Sequence, residues 1–253
     1  MKYMKKLDEY RKVAHLLKEI NVEKAYPLSI VEGYQRGEIY VDNADHPMCA
    51  LFWHYCGFAF IAGSYTEHID EICEMMNNLP SDNSNRLVLQ SKNDIAELEV
   101  NNMIRRERYC FTFVGPIGEI CIPDGCKVCP ISSDNYDLIH GRIIPAFSWK
   151  DKEDFLKNGF GFCLMKGNEV LSSAFSAAIS NEYVDIGIET NEKYRGNGYG
   201  KTVAAAMAEQ ILYQEKKPTW ACDIQNEGSM RLACKVGFRV DGVHPWYKIR
   251  YRL

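Results

Sequence analysis

Long apolar runs are missing from this sequence. None of its 253 residues sits in a stretch approaching the roughly 20 apolar residues that a membrane-spanning helix needs. An excess of basic charge is missing too: 30 lysines and arginines face 34 aspartates and glutamates, for a formal net charge of −4. That balance gives neither nucleic acid nor an anionic membrane surface a reason to bind. There is no internal repeat and no low-complexity tract. No signal peptide is expected, because Met1 to Lys18 is polar and charged at helical spacing. A second pair of metal-binding cysteines is also lacking. Cys126 and Cys129 form one CxxC, with Cys121 nearby and His140 the only neighbouring imidazole. A structural zinc site usually takes four ligands, often as two such pairs, so no metal is expected.

Cysteine itself is abundant. Most of the ten stand singly inside apolar runs, namely Cys49, Cys56, Cys73, Cys110, Cys163, Cys222 and Cys234. Free cysteine acts there as a small buried hydrophobe. Reduced thiols and a cytoplasmic location are therefore expected. The chain is long enough for one large domain or two small ones.

Periodicity gives the first half a mixed α/β character. Tyr3 to Ile20 places Leu7, Tyr10, Ala14 and Leu17 on one helical face. Met48–Tyr55 and Phe58–Ala62 read as two strands joined by a hairpin turn at Cys56-Gly57. Ser64 with Glu67 resembles a capping box, and Ile69, Ile72, Cys73 and Met76 form the apolar stripe of the helix behind it. Beyond that come a loop at Pro80–Asn85, a short strand at Arg86–Leu89, a helix at Asn93–Arg106 and a strand at Tyr109–Val114. Gly115-Pro116 ends the last. Nothing in this half carries assignable chemistry, and Phe52-Trp53-His54-Tyr55 reads as core with a buried structural histidine. The linker lies between Gly115 and Asp134. The expected domains are residues 1–125, of unassigned function, and residues 126–253.

The second half is sharper. Ser148 with Asp151 starts a helix carrying Phe155 and Leu156, which Asn158-Gly159 stops. Three strands follow at Phe160–Lys166, Val170–Ile179 and Tyr183–Thr190, with turns at Gly167-Asn168 and Asn181-Glu182. They make an antiparallel meander. In the last strand Val184, Ile186 and Ile188 share one face, and Asp185, Gly187 and Glu189 the other.

That strand runs into Tyr194-Arg195-Gly196-Asn197-Gly198-Tyr199-Gly200-Lys201-Thr202 and then a helix. Val203, Met207 and Ile211 make one apolar row of it, with Ala204, Ala208 and Leu212 beside them. A strand, a glycine loop and a helix N-terminus make an anion site, since free N–H groups and the helix dipole both favour negative charge. Three phosphate motifs compete for the loop. The dinucleotide fingerprint GxGxxG fails, because the spacing here is GxGxG. The P-loop fails because Arg195 stands where its first glycine belongs, although Lys201-Thr202 fits. The pattern Arg/Gln-x-x-Gly-x-Gly/Ala is met in full by Arg195, Gly198 and Gly200.

The third pattern resembles the GNAT superfamily of N-acetyltransferases, in which it binds the pyrophosphate of acetyl-CoA. A second stretch supports the likeness: Asn226, Ser229, Leu232, Ala233, Lys235, Gly237 and Phe238 follow the superfamily's Asn-x-x-Ser-x-x-Leu-Ala-x-Lys-x-Gly-Phe segment. Asp185 to Phe238 resembles more narrowly a subfamily that includes zwittermicin-resistance-type acetyltransferases. The specific likeness covers about residues 140–250. It implies an α/β (α+β) fold: a mixed, mostly antiparallel sheet flanked by helices. It also implies acetyl-CoA as cosubstrate. The pyrophosphate would lie against Arg195, Gly196, Asn197, Gly198, Tyr199, Gly200, Lys201 and Thr202. The pantetheine would pair with the backbone near Ile188 and Thr190, and Asn226 and Ser229 would be further cofactor contacts.

Acyl transfer to an amine must first remove a proton. A free alkylamine has a pKa of about 10.4, so holding it neutral at pH 7 costs roughly 4–5 kcal/mol. Carboxylates on the strand before the loop are the natural base. Glu189 and Asp185 share a face but lie four residues and so about 13 Å apart, too far for a close dyad. Glu189, nearer the loop, is the first candidate and Asp185 the second. An ion pair or an exposed carboxylate would explain Glu189 equally well. The tyrosine that many superfamily members carry in the last motif is Ala233 here. The general acid is therefore unassigned, with Tyr247, Tyr199 and water all open. The expected activity is acetyl transfer from acetyl-CoA to a primary amine of a small molecule, by direct attack in a ternary complex. A non-catalytic acyl-CoA-binding or regulatory protein on the same fold stays open as the other reading. Neither nucleic acid nor membrane is an expected partner, and a homodimer is left open.

Overall fold

Backbone pairing over long sequence distances decides this fold, and the local patterns above fit within it. The structure, a computed structural model, describes residues 4–78, 87–91, 103–118 and 120–249. In chain order, β1 (Lys5–Lys6), α1 (Ala25–Val31), β2 (Gly37–Val41), β3 (Cys49–His54), β4 (Phe58–Gly63) and α2 (Ile69–Asn77) come first. Next are β5 (Leu87–Ser91), β6 (Met103–Phe113), β7 (Cys126–Pro130), α3 (Lys152–Asn158) and β8 (Gly161–Lys166). The remainder are β9 (Glu169–Ile179), β10 (Tyr183–Thr190), α4 (Tyr199–Tyr213), β11 (Lys217–Asp223), α5 (Glu227–Val236) and β12 (Phe238–Ile249). They form two compact units, Met1–Arg108 with Val243–Leu253, and Tyr109–Gly242. Each is mixed α/β with a mostly antiparallel sheet.

In the first unit the strand order is β1-β2-β3-β4-β5-β12. β2, β3 and β4 form an antiparallel meander, and Gly57 closes the β3–β4 hairpin with φ +88°. α2 then crosses over to β5, which runs parallel to β4, and β12 returns antiparallel on β5 with Trp246 opposite Gln90. Cys49, Leu51, Ala59, Ile61, Leu89 and Tyr247 form one buried cluster with Ile72, Cys73 and Met76 of α2. The expected stripe of α2 is therefore core.

Three expectations in this unit are corrected, and two elements come in addition. The first segment is not one helix. Lys5 and Lys6 pair with β2, the Leu7 amide donates to Ile39, and only two 3-10 turns follow, at Tyr10–Val13 and Leu16–Glu19. Capture by the sheet removes the run that a helix would need. The Ser64–Glu67 capping box does not form, because a 3-10 turn at Thr66–His68 leads into α2 and neither start has a side-chain cap. Met103 to Arg106 belong to β6 and not to a helix. α1 and β2 were not anticipated at all. The rest of the expected helix, residues 93–102, the loop at 80–85 and Arg86 lie outside the described residues.

The second unit has the order β6-β11-β10-β9-β8-β7. β7, β8, β9 and β10 are successively antiparallel, and Gly167 turns β8 into β9 with φ +59°. Asp151 caps α3, accepting from the Asp154 amide at 2.8 Å. α4 then crosses over to β11, parallel to β10. Val203, Ala204, Met207, Ala208 and Ile211 are buried beneath it, whereas Leu212, expected beside that row, is 41% exposed. Trp149, Phe155 and Phe175 form an aromatic cluster, and the Trp149 indole donates to the Ser176 carbonyl at 2.7 Å. Each unit thus repeats one order: a meander, a crossover helix, a parallel strand and one further strand drawn from a distant part of the chain.

Candidate cofactor and acyl-transfer site

β10 has two unlike edges. β9 pairs with it from Val184 to Thr190, but β11 meets it only at Tyr183, Val184 and Asp185. From Ile186 onward that second edge has no strand partner among the described residues. α4 packs against both β10 and β11. A Cβ on Gly200 would stand 3.1 Å from Thr190 Oγ1 and 3.2 Å from Leu232 of α5, a tight fit that glycine relieves.

At the foot of the strand, Asn191 caps a 3-10 turn over Glu192–Tyr194. Gly196 and Gly198 follow with φ of +85° and +82°. Nothing lies within 4 Å of where either Cβ would point, so the loop presents bare backbone to open space. Gly198 is the N-cap of α4 and contributes no side-chain cap, and the first turn holds no acid. The Arg195 and Lys201 amides are satisfied within the loop, by Glu192 and Gly198. Those of Gly196, Asn197, Gly198, Tyr199 and Gly200 find no protein acceptor among the described residues. An uncapped helix N-terminus of this kind favours an anion.

Arg195 is held beside it. Its Nε donates to the Thr190 carbonyl at 3.3 Å, and its Nη2 lies 3.0 Å from Glu189 Oε1. Glu189 Oε2 accepts from the backbone amides of Arg142 (3.1 Å) and Ile143 (3.0 Å). Asp185 is buried and accepts from Thr219 Oγ1 at 3.1 Å, where β10 and β11 part. The two carboxylates therefore serve opposite ends of the strand and are not brought together. No sequence signal marks Arg142 and Ile143, because they contribute backbone from a remote segment.

The other candidates are partly engaged within the protein. The Thr202 hydroxyl donates to the Cys121 carbonyl at 2.9 Å, and Lys201 lies against Gly118. Asn226 Oδ1 caps α5 through the Ser229 amide, and Ser229 Oγ accepts from the Trp220 indole at 3.0 Å. The hydroxyl of Ser172 bridges the Glu189 carbonyl and Thr190 Oγ1. Ala233 is fully buried, and Tyr247 sits in the core of the first unit. Cys126 and Cys129 lie in β7, with Cys129 opposite Cys163 of β8. Among the described residues no group of three or more His, Cys, Asp or Glu side chains could hold a metal ion, and no helix is long and apolar enough to cross a membrane.

Comparison with known proteins bears directly on this geometry. The model of the GNAT acetyltransferase family matches residues 14–247. The chain belongs to that family. The match takes in both units, so the first half is part of the family's pattern and not an appendage. An uncharacterized N-acetyltransferase, YdfB of Bacillus subtilis (strain 168), is 25% identical over 221 residues, covering 83% of this GNAT chain and 85% of the relative. The crystal structure of a GCN5-related N-acetyltransferase-like protein from Streptococcus suis 89/1591 aligns over 96% of this chain and 99% of its own. The TM-score is 0.74 at 25% identity. A tandem GNAT protein from the clavulanic acid biosynthesis pathway shares the fold at 9% identity, with TM-score 0.62 and 97% of each chain covered.

Proposed function

We propose that this acetyltransferase moves the acetyl group of acetyl-CoA to a primary amine of a small molecule by direct attack in a ternary complex. The observation that carries the reading is a glycine loop with five amides that have no protein acceptor among the described residues, at the foot of a strand whose edge toward β11 has no strand partner there from Ile186 onward. The amides of Gly196 to Gly200 and the Arg195 guanidinium hold the pyrophosphate, as charge-assisted donors. The backbone near Ile188 and Thr190, at the free edge of β10, holds the pantetheine by strand-like pairing. Lys201, Thr202, Asn226 and Ser229 are the further cofactor contacts of this reading. Bound acetyl-CoA supplies the acetyl thioester. The residues fit this group, because the loop offers N–H donors and the space at Gly196 and Gly198 is open, with nothing within 4 Å of either would-be Cβ.

The amine must lose its proton, at a cost of roughly 4–5 kcal/mol at pH 7. We assign that step to the acidic face of β10, where Asp185 and Glu189 lie. The thioester of the cofactor is a full pantetheine arm away from its pyrophosphate. Asp185, where β10 and β11 still pair, would then be the carboxylate nearer the reacting carbon. Glu189 stands at the pyrophosphate end. This assignment reverses the order expected from sequence, where closeness to the loop favoured Glu189. The narrower subfamily likeness to zwittermicin-resistance-type enzymes is consistent with a small-molecule acceptor.

Calorimetric titration of acetyl-CoA, with ATP as the control nucleotide, tests the reading. Micromolar acetyl-CoA binding, followed by thiol release when a panel of primary amines is added, is the expected result. Tight binding with no turnover across the panel would favour a non-catalytic acyl-CoA-binding protein. Absence of binding would refute the cofactor site itself.

A further inference from the structure

Glu189 is engaged more fully than a proton acceptor needs to be. Its side chain is only 13% exposed, and both carboxylate oxygens are taken. Oε2 receives two backbone amides from the segment Arg142–Ile143, and Oε1 receives the Arg195 guanidinium. A Cβ at Gly141 would collide with Glu189 Cγ at 2.5 Å, so that segment lies flat against the acid. Arg195, 60% exposed along its side chain, is held at two points, Nε on the Thr190 carbonyl and Nη2 on Glu189. Its Nη1 has no protein acceptor among the described residues. A guanidinium fixed in its plane loses less freedom on meeting a phosphate than a loose one.

We propose that Glu189 is a positioning residue. It clamps the segment Gly141–Ile143 onto the end of β10, and it aims Arg195 at the pyrophosphate held by the glycine loop. The second part rests on the proposed cofactor reading. The alternatives predict opposite signs. As a bare carboxylate near a phosphate, Glu189 would repel the ligand, and its removal would tighten binding. As an aiming group it aids binding, and its removal weakens it.

The test uses the full chain and free coenzyme A as probe. Glu189→Ala is expected to weaken coenzyme A binding about three- to tenfold, a coupling of ordinary size for contacting groups. Arg195→Ala weakens it as well, and the double variant is no weaker than Arg195→Ala alone, because Glu189 acts through Arg195. Amide hydrogen exchange supplies the second readout. Glu189→Ala should speed exchange at Arg142 and Ile143 by about tenfold or more, whereas Arg195→Ala should leave it unchanged. Glu189→Gln, which keeps one acceptor oxygen and the same shape, covers the case in which the alanine variant fails to fold, and it should move both readouts in the same directions. Unchanged or tighter binding in the Glu189 variants, additive losses in the double variant, or unchanged exchange would each overturn the proposal. If the wild type bound no coenzyme A, the cofactor reading would fall and the aiming role with it. Wild-type binding that ignores Glu189 would sink this inference alone.

Discussion

A methyl group at Gly198 separates backbone strain from ligand contact. Gly198 adopts φ +82°, and nothing lies within 4 Å of where its Cβ would be. Gly198→Ala therefore meets no clash in the free protein and adds only the cost of a left-handed residue, about 1–2 kcal/mol. For a unit of this size that lowers Tm by roughly 2–8 °C. The methyl also enters open space beside the loop amides. If the pyrophosphate sits there, at least one charge-assisted hydrogen bond worth about 1.5–3 kcal/mol is lost, and affinity falls about ten- to hundredfold. Gly33 is a matched control: it has φ +78°, nothing within 4 Å of its would-be Cβ, and a place in the other unit. Gly33→Ala should lower stability by a similar amount and leave acetyl-CoA affinity alone. Calorimetric titration and differential scanning calorimetry on both variants give the four numbers required. A Gly198→Ala protein that shows the strain yet binds acetyl-CoA like wild type would refute the claim that these amides hold the pyrophosphate. Equal loss of affinity in both variants would trace the effect to general destabilisation.

Two predictions concern the first unit. His54 is fully buried, accepts the Cys56 amide through Nδ1, and has its pKa pushed down to about 3 by burial. The unfolded chain takes up that proton near the ordinary 6.5 and the folded chain does not. Stability from this group is therefore present above pH 6.5 and is lost as pH falls toward 3, by about 1.4 kcal/mol per pH unit. Urea denaturation between pH 7 and pH 5 should show a flatter slope, by nearly one proton, in His54→Gln, and an unchanged slope would remove the assignment. The second prediction concerns Glu23 and Arg108, an ion pair at 3.0 Å with side chains 3% and 14% exposed. Glu23→Gln removes one charge of this buried pair and should cost about 3 kcal/mol or more. Arg108→Met should cost a similar amount, and the double variant clearly less than the sum; simple additivity in denaturation would contradict the pairing.

The strongest local signals in the sequence survive folding almost unchanged. The turns at Gly57 and Gly167, the stripe of α2 and the glycine loop before α4 all depend on residues within a few positions of one another, where periodicity and left-handed glycine act directly. The errors share one cause. The sequence suggests helices at Lys5, Leu7 and Met103 to Arg106, yet their backbones are taken by strands or strand-like bonds. The site divides in the same way. The loop was legible because its chemistry is in its backbone. The surroundings of Glu189 were not, because Arg142 and Ile143 meet it through amides that any residue type could supply. Asn226 and Ser229 fit a family pattern, but their side chains also hold α5 and Trp220 in place, which no motif reveals.

The division of the chain bears on its synthesis. The first unit needs β12, whose residues from Val243 onward are made only after all of Tyr109–Gly242. At about 5–20 residues per second, those intervening 134 residues (109 through 242) take on the order of ten seconds to translate. For that interval the nascent β5 has β4 on one side and an open edge on the other, and an open edge invites pairing with foreign strands. The second unit has its own strands in hand by Gly242, so it can close first although it begins second. The half of the molecule that leaves the ribosome earliest is thus the last to be completed.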